Sequence, residues 1–307
     1  KTIVWDFNFY KKKFKKFPIK INFQINSDNL IVADNLGYFY SIDINSGKIR
    51  WAKNYGVPFR SNIKVSKKYT FSVNQDNKFY GINNIDGEKR LDLETFPSFL
   101  QSQQKTSVSI DKDNQNVFFI TSAGEIYSIN YSTNIINWMY KTTSRSVDKT
   151  VDLFFSSPLI HYRDQIVVST SVSTISLNSL TGLINWEIPI STYIRPAISN
   201  NFIFLATYDG FIINVNILNG KVIWSKNIFN KSKKINEDKI GKITSIILLS
   251  DEIFLTTKKG YFLFLNFKNG KIINYAKADK SGFFSKPIIA DKKIYLINMK
   301  GQVIVFN

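Results

Sequence analysis

Residues 202–224 read FIFLATYDGFIINVNILNGKVIW. An apolar run meets a turn at Asp209-Gly210, alternates, meets a second turn at Asn219-Gly220, and ends on Trp224 four residues later. Apolar runs and period-two alternation broken by Gly, Asn and Asp predict strand, turn, strand, turn, strand. The stretch is not unique. LIVADNLGYFYSIDINSGKIRW at 30–51 has the same layout, and LTGLINW returns at 180–186.

Working outward from Gly220, the second turn falls at Gly47, Gly87, Asn134, Gly182, Gly220 and Gly270. Asn134 keeps the mechanism, because Asn is the next-best residue after Gly for positive φ. Four residues on stand Trp51, Leu91, Trp138, Trp186, Trp224 and Asn274, while ten residues before stand Gly37, Asn77, Gly124, Val172, Gly210 and Gly260. Only Val172 departs from the turn-forming type. Prolines 18, 58, 158, 196 and 287 precede a further strand in five units, at a place where a missing N–H does no harm. Each unit therefore holds four antiparallel strands.

The markers are spaced 40, 47, 48, 38 and 50 residues apart. A four-stranded unit repeating at about 40–50 residues predicts an all-β fold, a β-propeller. Residues 287–307 carry only three strands, and KTIVWDFNF at the start reads as the fourth, with Trp5 in the marker position. The N-terminal strand is expected to pair with the C-terminal blade and close the ring. Seven markers read as seven blades in one domain over 1–307, at about 17–54, 57–94, 97–141, 156–189, 194–228, 242–277, and 286–307 with 1–8; eight blades stay open. Longer gaps place insertions near 96–106, 141–155 and 228–242, expected as loops. Trp5, Trp51, Trp138, Trp186 and Trp224 are expected to wedge each outer strand against its neighbour.

Composition narrows the chemistry. Aromatic residues make up 15% of the chain, which suits strands. There is no Cys and a single His, His161, so thiol catalysis, disulfides, zinc ribbons and haem ligation are excluded or nearly so. His161, in SSPLIHYRDQIVV, reads as an ordinary partly exposed side chain at a strand start. Asp34, Asp76, Asp209 and Asp251 read as turn or strand-edge carboxylates rather than a metal site. No enzyme, metal or cofactor role is expected. The net charge is +18. It admits anionic partners, but Lys, Asn, Ile, Phe and Tyr are inflated together, which compositional bias also produces. No apolar run approaches the ~20 residues that span a bilayer as a helix. The chain opens on Lys1 rather than Met, which reads as loss of a leader.

The Gly-Lys-x-x-Trp turn, complete at 47–51 and 220–224 and varied on the other outer strands, resembles that of the tryptophan-docking, PQQ-like repeat propellers. Those include the quinoprotein alcohol dehydrogenases and the outer-membrane assembly lipoproteins of the BamB family. The dehydrogenases are longer and carry a vicinal Cys pair beside their cofactor, and this chain has no Cys. ADKSGFFSKPIIADKKIYLINMKGQVIVF at 278–306 is similar to the closing blade of BamB proteins. The resemblance implies a periplasmic scaffold anchored to the outer membrane by an upstream lipid. Such a protein is a monomeric subunit of a hetero-complex and docks on the β-barrel insertase BamA, near nascent barrel proteins. It also implies docking through loops between neighbouring blades. The matching segments are VDLFFSSP (151–158), with Leu153, Phe154 and Phe155, and STYIRP (191–196), where the family's acidic pair is absent and Arg195 stands instead. A small-ligand or quinone-binding propeller is the alternative.

FYKKKFKKFPIK (9–20) has Lys11, Lys12, Lys13, Lys15 and Lys16 with Phe14 and Phe17 interleaved. It suits an anionic membrane surface near a lipid anchor. Nucleic acid uses the same features and ranks lower; a solvated loop is the plain alternative. KNIFNKSKKINEDKIGK (226–242) reads as a mobile mixed-charge loop.

Overall fold

The computed structural model describes residues 5, 20–95, 106–142, 155–229, 235–283, 286–290, 292–300 and 302–306. They form seven antiparallel sheets, six of four strands and a last one of three, with strands in chain order within each. These are the blades of a seven-bladed β-propeller. The first blade runs β1 (Ile21–Asn26), β2 (Asn29–Asp34), β3 (Tyr38–Asp43) and β4 (Ile49–Asn54). The others span 64–93, 107–141, 160–188, 197–227, 243–277 and 288–306. Residues 1–4 and 6–8, expected to complete the last blade, lie outside the described residues. So do the insertions at 96–105 and 143–154, and Lys11, Lys12, Lys13, Phe14, Lys15, Lys16 and Phe17.

Burial follows position in the sheet. In β2 and β3 four of the six residues are buried and none is exposed, whereas β4 buries Trp51 alone among mostly exposed positions. Middle strands covered on both faces read as continuous apolar runs. That is why LIVA and FYSI show no alternation.

The chain divides into two compact units, Lys1–Phe155 with His161–Gln165 and Ser179–Gly182, and Ser156–Ile160 with Ile166–Asn178 and Leu183–Asn307. In the first, Phe71, Phe79, Phe119 and Tyr127 stack in series, with ring centroids 5.9, 5.1 and 5.1 Å apart. In the second, Phe204, Ile212, Leu255 and Leu263 anchor a cluster shared by the blades at 197–227 and 243–277.

The recurring turn has one geometry. Gly47, Gly87, Gly182, Gly220 and Gly270 have φ between +67° and +73°, and Asn134 has +59°. Four residues before each stands an Asp or Asn that sequence reasoning passed over: Asp43, Asn83, Asn130, Asn178, Asn216 and Asn266. Asp43, Asn83, Asn130, Asn216 and Asn266 each accept from the backbone N–H two residues on, at 2.8–3.1 Å. An Asx turn of this kind holds the hairpin open at the width the glycine needs. Just beyond it, every third-to-fourth-strand pairing carries a one-residue register shift, as between Ser41 and Ile42 in the first blade.

The tryptophans sit on the next blade's turn. Within the first unit, Trp5, Trp51 and Trp138 donate their indole N–H to the carbonyls of Ile44, Asn84 and Ser179 at 2.7, 2.9 and 3.0 Å. Within the second, Trp186 donates to Ile217 at 2.6 Å. The acceptor always lies three residues before the turn glycine. A Cβ on Gly182 would fall 2.6 Å from Trp138 Cδ2, and one on Gly87 2.6 Å from Trp51 Cε3. Glycine is thus required twice, for its positive φ and for the ring against its Cα. Trp224 covers Gly270 in the same way, yet its buried Nε1 has no hydrogen-bond partner. The last blade has no third-to-fourth-strand turn among the described residues, and its predecessor carries Asn274 where a Trp would stand.

The insertion near 228–242 is more ordered than expected. Asn236 caps a helical turn at Glu237–Ile240 by accepting from Lys239 N. Ile240 is buried, and its carbonyl accepts from Thr257 Oγ1 at 2.5 Å. Apolar residues at 235 and 240 supply the reason, because both join the core of the second unit. Residues 230–234 lie outside the described residues.

Two contrasts test this account by urea unfolding. Trp138→Phe, which strands the Ser179 carbonyl, should cost about 1–3 kcal/mol more than Trp224→Phe, which loses no hydrogen bond. Equal costs would refute the role given to the indole N–H. Gly56 and Gly182 have similar φ, +77° and +73°, but nothing lies within 4 Å of a Cβ on Gly56. Gly56→Ala should cost about 1–2 kcal/mol for backbone strain alone, and Gly182→Ala about 1–3 kcal/mol more through the clash with Trp138.

Candidate docking surface

The segment 155–158 and the segment 191–196 are far apart in sequence but share one anchor, the end of the strand Gln165–Ser169. Ser157 N donates to the Ser169 carbonyl at 2.7 Å, and Ser169 N donates back to Ser157 Oγ at 3.0 Å. Ser169 Oγ then accepts from Thr192 N at 2.8 Å. Next to it, Ser156 forms a bridge with Thr170, whose carbonyl accepts from Ser191 Oγ at 2.6 Å. Thr192 Oγ1 donates to the Ala206 carbonyl at 2.5 Å, tying the second segment to the following blade.

Ser157, Ser169 and Thr192 are all buried. Buried hydroxyls with full sets of partners fix geometry, because leaving any one unpaired costs its desolvation. The two segments are therefore held in one orientation relative to each other. Phe155, immediately before Ser156, is half-buried; Leu153 and Phe154 lie outside the described residues. Arg195 is exposed and, among the described residues, has no carboxylate partner.

Beside the second segment stands a group that sequence reasoning did not single out. Tyr193 donates its hydroxyl to the Ile243 carbonyl at 2.6 Å, and burial with the nearby Glu237 pushes its pKa up to about 12. It meets Tyr208 edge-on at 5.7 Å, and Lys242 Nζ lies 3.5 Å from the Tyr208 ring centroid. Tyr208 is 59% exposed although it occupies a turn. An aromatic at the second position of TYDG, where turns favour small polar residues, was the available signal. An exposed tyrosine and an arginine are residue types enriched at protein interfaces.

Elsewhere, His161 packs on Phe118 with centroids 5.4 Å apart and points Nε2 at Asp111 Oδ2, 3.6 Å away. Asp34 accepts from Leu36 N and Tyr38 N at 2.8 Å, as a turn-former does. Among the described residues no group of three or more His, Asp or Glu is placed to hold a metal ion.

The sequence model of the family described as outer membrane protein assembly factor BamB matches residues 2–226 and again 113–307. The overlap of the two matches is what an internal repeat produces. None of the curated protein sequences matches the chain. Among solved structures, BamB from Moraxella catarrhalis is similar with a TM-score of 0.76 at 14% identity, over 93% of this chain and 83% of that one. Sqt1 from Saccharomyces cerevisiae gives 0.68 at 14% identity, over 91% and 80%. The computationally designed Ika8 protein gives 0.52 at 12%, over 93% and 95%. At such identities the structural likeness is one of fold. The family model runs from residue 2 to residue 307, and on that ground the chain belongs to the outer membrane protein assembly factor BamB family.

Proposed function

We propose that this protein is a non-enzymatic scaffold of the periplasm, tethered at the outer membrane, that docks on a BamA-type insertase and assists the insertion of β-barrel proteins. The observation that carries the reading is the hydroxyl network on Ser169, which holds 155–158 and 191–196 in fixed register. These are the segments that the family resemblance pairs as docking loops. Membership in the BamB family supports the same partner.

A scaffold of this kind needs rigid strands behind adaptable loops. Phe155, Tyr193 and Tyr208 supply apolar contact with little side-chain entropy to lose, and Arg195 and Lys242 supply charge at the margin. The charge of +18 then favours encounter with an acidic surface without setting the affinity.

Calorimetric titration with the periplasmic domains of the insertase from the same organism, at physiological salt, tests the reading. Saturable binding is expected, and changing Leu153, Phe154, Phe155 and Arg195 to Ala should abolish it by removing about 2 kcal/mol or more per anchor. Absence of binding at tens of micromolar would overturn the proposal. Ser169→Ala is a second arm, since it touches no partner. It should speed hydrogen exchange at Thr192 N and weaken insertase binding about five- to thirty-fold, through a cost of about 1–2 kcal/mol in loop ordering. Unchanged affinity with faster exchange would show that the network is structural only.

A further inference from the structure

A cavity of about 370 Å3 lies wholly within the second compact unit. Arg195 and Pro196 form one side, Ser245, Ile246 and Leu248 another, and Lys286 stands at the lip. Three features define what it accepts. The first is an uncompensated cation. Arg195 has no carboxylate partner among the described residues. Its concave setting leaves it exposed to solvent while packed among protein atoms, and the lost hydration draws its pKa below that of a free guanidinium. It stays charged regardless, and a planar fork of donors without an acceptor matches a carboxylate.

The second feature is the apolar wall. Ile246 is buried, and Ile198 and Leu248 are half-buried. The third is main chain. Ala197–Ser199 and Ile243–Leu248 are each the first strand of their sheet and pair on one side only. Among the described residues no backbone hydrogen bond joins the two. Where they approach each other no further strand fits between them, so what they offer a chain end is single N–H and C=O groups rather than a ladder. The volume is at the small end of the ~300–1,000 Å3 range of ligand sites, so it suits a chain end rather than a folded surface.

We propose that this cavity binds the C-terminus of an extended polypeptide, with the terminal carboxylate on Arg195 and the last side chain against Ile198, Ile246 and Leu248. The main chain before that terminus leaves the cavity toward solvent. The site shares Arg195 with the proposed insertase surface, so it is assayed without the insertase, where failure of one reading leaves the other standing.

The test is fluorescence anisotropy with an N-terminally labelled six-residue peptide ending Val-Ile-Phe, as the free acid and as the C-terminal amide. The free acid should bind saturably and the amide at least about tenfold more weakly, because only the acid offers a charged acceptor to the guanidinium. Arg195→Gln should erase the difference between acid and amide, and Arg195→Lys should restore part of it. Thermal unfolding of each variant checks folding; if Arg195→Gln unfolds, the acid–amide comparison on the unaltered protein decides alone. Equal binding of acid and amide, or no binding of either, would overturn the proposal. Decanoate competing as strongly as the peptide would overturn the assignment to a polypeptide and point to a lipid carboxylate.

Discussion

Most of this structure rests on one contact, an indole ring laid over a glycine of the following blade. The contact combines apolar area, a hydrogen bond from Nε1 to a carbonyl, and a backbone conformation that few residues tolerate. Trp138 on Gly182 and Trp186 on Gly220 show all three at once. Each component enforces the others. The ring can approach only because no Cβ intervenes, and the carbonyl is aimed only because the glycine turns the chain. A sheet of four strands has one outer edge to protect, and this contact protects it with a single residue.

Because the contact needs particular residue types at a set interval, the fold was legible from sequence. A turn Gly or Asn repeated six times, with Trp four residues on in four of them, carried the blade count together with Trp5, and the apolar runs between the turns carried the strands. The Asp or Asn four residues before each marker was equally periodic and went unread, since its role depends on side-chain bonds to the backbone. The helical turn at Glu237–Ile240 was hidden for a different reason. Four residues are too few to show a period, and its surroundings are dominated by Lys and Asn.

The docking surface was harder to see. The segments themselves were nameable, but what joins them is a chain of hydroxyl contacts between residues 12 and 23 apart. Serine and threonine are common everywhere and carry no pattern, so only coordinates distinguish Ser169 from its neighbours. The same holds for Tyr208, whose exposure is set by the turn beneath it. Burial of small polar groups thus does for the loops what the tryptophans do for the blades.

The one-residue register shift beside the turn between third and fourth strands has a consequence for how the family can vary. In a strand, parity decides which face a side chain meets, and the shift spends one residue to change parity between Ile49 and Trp51. Adding or deleting a residue within that interval would rotate the indole to the opposite face of its sheet. Change in length is therefore tolerated only where no ring is being aimed. The repeat lengths of this chain, from 38 to 50 residues around an unvarying step of four, record where such freedom lies.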